Sequence, residues 1–333
     1  MTTTTERAPA QEEPKPTAQE ANMPVAQEPT TKRFTLICPF EEGVPEDVCD
    51  SINEIEKEMG MRAFFLLQQG HTQRDRIGPD IVRMLRQTVR RLPQKKVALI
   101  IESPGGDARS AYLIAMILRR HCGEFFSVVP RYAKSAATLL ALGGNAIQMG
   151  RFSELGPLDA QVHDPDGERD ISALDEVQSL IRLHAAAMEM VDQGMFLLLS
   201  RTRKKVDKLL PLNMDFVAKM LQPLYGSIDV VHYTQMSRVI KVAEEYAARL
   251  LRGKYQDAKA QSIARHLVSN YPDHGFVIDI DEARTIGLDV IPIDANCVAP
   301  LDKILSCVDK RTVVGSLENA ETKKERAPNE TDI

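Results

Sequence analysis

Apolar runs and helical stripes alternate between residues 95 and 150, and this alternation is the strongest structural signal in the chain. KKVALIIE, residues 95–102, is a continuous apolar run of the kind that suits a strand buried on both faces, as in a parallel sheet. Ser103-Pro104-Gly105-Gly106 breaks it. From Asp107 onward Ala111, Ile114, Ala115, Leu118 and Cys122 recur at helical spacing, with Gly106 or Asp107 placed to cap that helix and Gly123 placed to stop it. FFSVVP, residues 125–130, reads as a second strand. A small-residue helix then runs from near Ser135 through Ala141 to Gly143-Gly144, and residues 146–149 form a third strand. Strand, helix, strand, helix, strand at this spacing predicts βαβ crossovers and a largely parallel sheet, hence an α/β fold.

Upstream, RFTLICPF and MRAFFLLQQ read as strands flanking a helix near residues 46–58, with a further helix over 79–92. Residues 171–268 are predominantly helical, with breaks predicted near Pro211 and Pro223. The α/β pattern returns at 281–293, where a helix ends at Gly287 and LDVIPI follows as a strand. Residues 1–32 hold seven Thr, five Pro, five Ala, five Glu and three Gln, and offer almost nothing to bury, so they are expected to be disordered. The stretch 315–333 has the same character. The predicted organisation is a tail over 1–32, a core over 33–165, a helical segment over 166–270, a return to the core over 271–314, and a second tail over 315–333.

Composition narrows the function classes. The chain has 333 residues, enough for one large or two small domains. Its 42 basic and 47 acidic residues leave a net charge of −5, which gives no overall electrostatic case for nucleic acid or an anionic membrane. No apolar run approaches the ~18 residues of a membrane span, and the N-terminus lacks the apolar stretch of a secretory signal. Cys38, Cys49, Cys122, Cys297 and Cys307 lack metal-ligand spacing, so reduced thiols and a cytoplasmic location are expected, with no metal or organic cofactor.

The candidate chemistry lies in the loops. Gly105 and Gly106, directly after a buried strand and before a helix, leave backbone N–H groups at the strand ends where an anion can sit; a plain αβ loop would use the same residues. Ser135, in A-K-S-A-A at a strand-to-helix junction, suits a nucleophile whose small neighbours admit a substrate, and equally suits an N-cap. His274, in Y-P-D-H-G-F, follows a turn and precedes glycine, as an imidazole on a cleft loop would. Asp159, after Gly156-Pro157, suits a turn-stabilising aspartate.

S-P-G-G after a strand, then Y-A-K-S-A-A-T-L-L-A-L and S-E-L-G-P-L-D-A-Q, resembles the serine dehydrogenase proteinase family, within the Clp-protease, signal-peptide-peptidase A and crotonase superfamily. The resemblance is strong over 97–161, returns at 271–293 and is weak between them. It implies a ClpP/crotonase-like ββα spiral with a long helical insertion, and a serine peptidase with a triad in the chain order Ser135, Asp159, His274. The N–H groups of Gly106 and Ala136 would hold the oxyanion, with Gly105 shaping the loop. A polypeptide substrate and a homo-oligomer are implied, while no ATPase partner can be named. Other readings are a Ser/Lys dyad, with Lys204 or Lys205 as base, His163 as a reserve base, a non-catalytic peptide-binding scaffold, and a crotonase-like acyl-CoA enzyme.

Overall fold

The computed structural model describes residues 31–70, 75–89, 92, 96–159, 161–163, 170–308 and 311–319. In chain order the elements are β1 (Lys32–Phe34), α1 (Glu46–Met59), β2 (Arg62–Leu67), α2 (Pro79–Thr88), β3 (Val97–Glu102), α3 (Ala108–His121), β4 (Phe125–Val129), β5 (Tyr132–Ala133) and α4 (Ala136–Leu142). They continue as β6 (Ile147–Met149), β7 (Glu154–Leu155), β8 (Gln161–His163), β9 (Asp170–Ser172), α5 (Ala173–Arg201), α6 (Val206–Gly226), α7 (Val230–Leu251) and α8 (Asp257–Ser269). The last are α9 (Ile280–Thr285), β10 (Val290–Pro292), α10 (Ala295–Val308), β11 (Val313–Gly315) and β12 (Leu317–Asn319).

The main sheet has the order β10-β6-β4-β3-β2-β11. Every pairing among its first five strands is parallel, and β11 closes the edge antiparallel to β2. The fold is therefore α/β with a parallel sheet, as the apolar strands predict. Alternate residues along a strand point to opposite faces. Phe64, Leu66, Val97, Leu99 and Ile101 accordingly join one core with the helices α2, α3, α4, α7 and α8. Ala63, Phe65, Leu67, Ala98 and Ile100 join a second core with α1 and α10.

Several boundaries differ from the sequence expectation. α6 runs through Pro211 and Pro223 without a break. Each proline removes only one helical N–H, and the chain turns instead at 202–205 and 227–229, where Asp229 caps α7 through the N–H groups of Val231 and His232. The strand expected over RFTLICPF shrinks to β1, which pairs with β12 outside the main sheet. A loose tail from Gly315 is thus wrong for its first residues, because Leu317 packs beside Phe34 in the second core. Lys32 likewise falls in a strand rather than in the first tail. The rest of both expected tails, 1–30 and 320–333, lies outside the described residues.

What positions the candidate site is a small ribbon that leaves the C-terminal ends of the main strands. Ser103 bridges Ala133 in parallel, β5 pairs with β7 in parallel with Ala133 opposite Leu155, and Leu155 bridges Ile278 antiparallel. Backbone bonds fix it: Lys134 N–H to Ser103 O at 3.0 Å, Gly156 N–H to Ala133 O at 3.0 Å, and the reciprocal Leu155–Ile278 pair at 2.8 and 3.1 Å. Thr138, fully buried on α4, locks two of these segments together. Its hydroxyl lies 2.6 Å from Ala133 O and 2.9 Å from Gly156 O, and it accepts the Gly156 N–H at 3.1 Å.

Thr138→Val keeps the shape of the side chain but leaves the Gly156 carbonyl without its donor, while Gly156 N–H and Ala133 O keep each other, which costs about 1–3 kcal/mol. Denaturant unfolding should show a loss of that size with an unchanged m-value. A change within ~0.5 kcal/mol would mean that this hydroxyl does not hold the ribbon.

Candidate active site

The register of the ribbon decides which loops meet. Because Ser103, Ala133 and Leu155 run parallel and Ile278 runs against them, one end of the ribbon emits Gly105-Gly106, Ser135, Asp159 and His274 together. Four loops that are far apart in the chain therefore share one edge.

Ser135 occupies φ 49°, ψ −118°, and it is the one non-glycine residue with positive φ among those described. It precedes α4 but does not cap it: its side chain makes no cap hydrogen bond, and its backbone lies far from the extended conformation that N-caps adopt. Between the two sequence readings of this serine, the N-cap role is not performed. Positive φ costs a side-chain-bearing residue roughly 1–3 kcal/mol, and such strain persists only where the surroundings enforce it. Gly105 supplies part of that enforcement. A Cβ on Gly105 would stand 2.7 Å from Lys134 O, 3.0 Å from Ser135 Cβ and 3.1 Å from Ala136 N, so only glycine allows the two loops to touch. Gly106 is as constrained, with Ile77 O only 2.2 Å from where its Cβ would sit.

Hydrogen bonding separates the donors. The Gly105 N–H goes to Ser103 Oγ at 3.2 Å, which leaves it committed to the loop. Among the described residues the N–H groups of Gly106 and Ala136 have no acceptor. Two free donors thus flank a free hydroxyl.

Asp159 is 5% exposed, and its Oδ2 lies 3.8 Å from His274 Nδ1. That is ion-pair range but longer than a hydrogen bond, and both Asp159 Oδ1 and His274 Nδ1 are buried without a partner. The loop bearing His274 is anchored by Tyr271, whose ring stacks on Phe276 with centroids 4.9 Å apart and whose hydroxyl donates to Glu282 at 2.9 Å. Burial, then Glu282, holds that phenol well above its usual range. Lys134 Nζ, next in the chain to the serine, forms an ion pair with Glu154 Oε1 at 3.0 Å without hydrogen-bond geometry.

Reserve candidates fall elsewhere. His163 ends β8, opposite Asp170 of β9. Lys204 and Lys205 are exposed in the connection from α5 to α6. α5 is a 29-residue rod, on the order of 40 Å long, and it separates them from the β8–β9 hairpin that follows Asp159. Among the described residues no three His, Cys, Asp or Glu side chains gather as metal ligands would.

Sequence reasoning missed the polar support beneath the loop. Ser103 donates to Gln68 Oε1 at 2.9 Å, and both residues are fully buried. Glu102, also buried, takes two bonds from Arg131 at 2.6 and 2.8 Å and one from Gln69 at 3.3 Å. At the other end of α4, Arg119 and Lys254 donate to the carbonyls of Gly143 and Gly144. Burial pushes the Lys254 ammonium down to about 8.

The family described as ClpP-like SDH-type serine proteinase matches residues 77–195. The matched segment opens at Ile77, which backs Gly106, and takes in Ser135 and Asp159, while His274 lies beyond it. Two uncharacterized proteins of Methanocaldococcus jannaschii are similar to the chain. One is 25% identical over 211 residues, 63% of this chain and 56% of the relative. The other is 24% identical over 205 residues, 61% of this chain and 57% of the relative. The chain thus spans little more than half the length of these relatives. Solved structures of the membrane-bound stomatin-specific protease 1510-N are also similar: a serine-to-alanine mutant (11% identity, TM-score 0.37, 66% of this chain and 77% of that one), and a lysine-to-alanine mutant with a substrate peptide (13%, 0.38, 75% and 90%).

The strain at Ser135 can be measured directly. Ser135→Gly relieves positive φ while adding only the flexibility of glycine to the unfolded chain, so it should be more stable than Ser135→Ala by about 1 kcal/mol. In a thermal melt this is a rise of roughly 2–3 °C. Equal melting temperatures would show that the serine backbone is not strained.

Proposed function

We propose that the protein is a serine endopeptidase, with Ser135 as nucleophile, His274 as base and Asp159 as the group that orients the imidazole. The observation that carries this reading is the free Ser135 hydroxyl on a strained strand-to-helix turn, flanked by the unpaired N–H groups of Gly106 and Ala136. Ser135 Oγ attacks the scissile carbonyl carbon as its proton passes to His274. The carbonyl oxygen takes negative charge and is held by the two N–H groups. Collapse breaks the C–N bond, the imidazolium protonates the departing amine, and water then hydrolyses the acyl-serine by the same steps. The 3.8 Å separation of His274 and Asp159 shortens to a hydrogen bond as the imidazole gains its proton, since apo sites commonly tighten in the substrate complex.

The core over 33–165 and 271–314 supplies this machinery, and the helical segment over 166–270 serves assembly of a homo-oligomer. Support for assembly comes from α6, where Leu212, Phe216, Met220 and Leu224 form an exposed ridge at four-residue spacing alongside the buried row Leu209, Val217 and Leu221. No helix among the described residues is long and apolar enough to cross a membrane, so an unfolded polypeptide, rather than a membrane-spanning one, is the substrate to test first.

Steady-state hydrolysis of such a polypeptide should fall by a factor of ~10³ or more in Ser135→Ala and in His274→Ala. Asp159→Asn should lose ~10² to 10⁴ in kcat with little change in KM. Full activity in His274→Ala, with loss in Lys204→Ala or Lys205→Ala, would move the base to lysine. Full activity in Ser135→Ala would remove the nucleophile assignment altogether.

A further inference from the structure

The connection between α5 and α6 carries a dense run of unpaired charge. Arg201, Arg203, Lys204, Lys205 and Lys208 are all exposed within eight positions, with Asp207 as the one carboxylate among them. None of the five forms an ion pair among the described residues. Other cations of the same helices do pair along their own surface, as in Lys219–Asp215, Lys241–Glu244 and Arg249–Glu245.

Large apolar side chains surround this cluster in the chain. Phe196 is 76% exposed, and Leu199, Val206 and Leu210 are 40%, 51% and 36% exposed. Cations mixed with exposed aliphatic and aromatic groups at the end of a helical hairpin suit a surface that is anionic outside and apolar beneath. We infer that this hairpin end docks on the surface of a bilayer containing anionic lipid, the cations meeting headgroups while Phe196, Leu199 and Val206 enter the headgroup–acyl boundary.

Two other occupants fit less well. A symmetric contact with a second copy would set the same cations against each other, and lysine is depleted in the centres of protein interfaces. A nucleic acid would satisfy the charges but leave the apolar side chains against a phosphate backbone. The net charge of −5 does not oppose a bilayer, because screening confines each charge to about 8–10 Å and the hairpin end is locally cationic. With no spanning helix among the described residues, the contact lies on the membrane rather than through it.

The test is flotation of the full chain with phosphatidylcholine vesicles containing about 30% phosphatidylglycerol, against pure phosphatidylcholine, at 0.1 M salt. The expected result is at least tenfold more floated protein with the anionic vesicles and its loss at 0.5 M salt, since the contact is electrostatic. Lys204→Glu/Lys205→Glu should lower flotation tenfold or more, and Phe196→Ser should lower it several-fold while keeping the salt dependence. Circular dichroism of both variants separates a lost contact from a lost fold. Absence of flotation with the anionic vesicles, or flotation indifferent to both substitutions, overturns the proposal. So does a light-scattering mass that falls to the monomer in Phe196→Ser with no vesicle binding in wild type, which would assign the surface to a second copy.

Discussion

The backbone register Ser103–Ala133–Leu155–Ile278 is the constraint on which the rest of the site depends. A parallel sheet delivers every strand end to the same edge, but it also spaces those ends a strand apart and leaves their loops free. The ribbon converts that edge into a second, smaller sheet, in which three consecutive exits are bonded to one another and a fourth segment returns against them. Gly105-Gly106, Ser135, Asp159 and His274 then need only two to four residues of reach from a fixed rung. A one-residue slip anywhere in the ribbon would turn each of these side chains to the opposite face.

Holding Ser135 at positive φ requires rigid neighbours, and the structure supplies them with buried polar bonds rather than with apolar packing alone. Thr138 ties the strand before the serine to the strand before Asp159, Gln68 holds Ser103, and Arg131 holds Glu102. Each of these groups would be costly to bury alone, and each is nearly or fully matched. Among the described residues the buried side-chain atoms without a hydrogen-bond partner include Asp159 Oδ1 and His274 Nδ1, where the chemistry is proposed, with Gln68 Nε2 and Lys134 Nζ nearby and Arg252 Nε and Ser316 Oγ elsewhere. Backbone strain at Ser135 and unsatisfied polarity at Asp159 and His274 therefore meet at one edge of the fold.

Much of this architecture was legible in the sequence because the signals were local. Fully apolar strands followed by glycine announced βαβ units, and the helix starting at Asp107 announced itself by its cap. α10 was not read, although Cys297, Leu301, Ile304 and Leu305 keep helical spacing, because Pro300 interrupts the pattern. β11 and β12 were lost in a stretch whose polar composition resembled a tail. At the site, Ser135 and the glycine pair stood out by their neighbours, whereas Asp159 and His274 were reached through a family resemblance. No local pattern could join Gln68 to Ser103 or Glu102 to Arg131, since each pair meets only when separate strands align.

Peptidase activity at this site depends on whether the strained serine is a nucleophile. Treating the native full-length protein with a fluorophosphonate probe, then mapping the adduct by peptide mass spectrometry, asks this without knowledge of the substrate. One phosphonylated residue, Ser135, labelled in the folded protein and not after denaturation, is the predicted result. A folded protein in which Ser135 stays unmodified, or in which another serine carries the label, would contradict it.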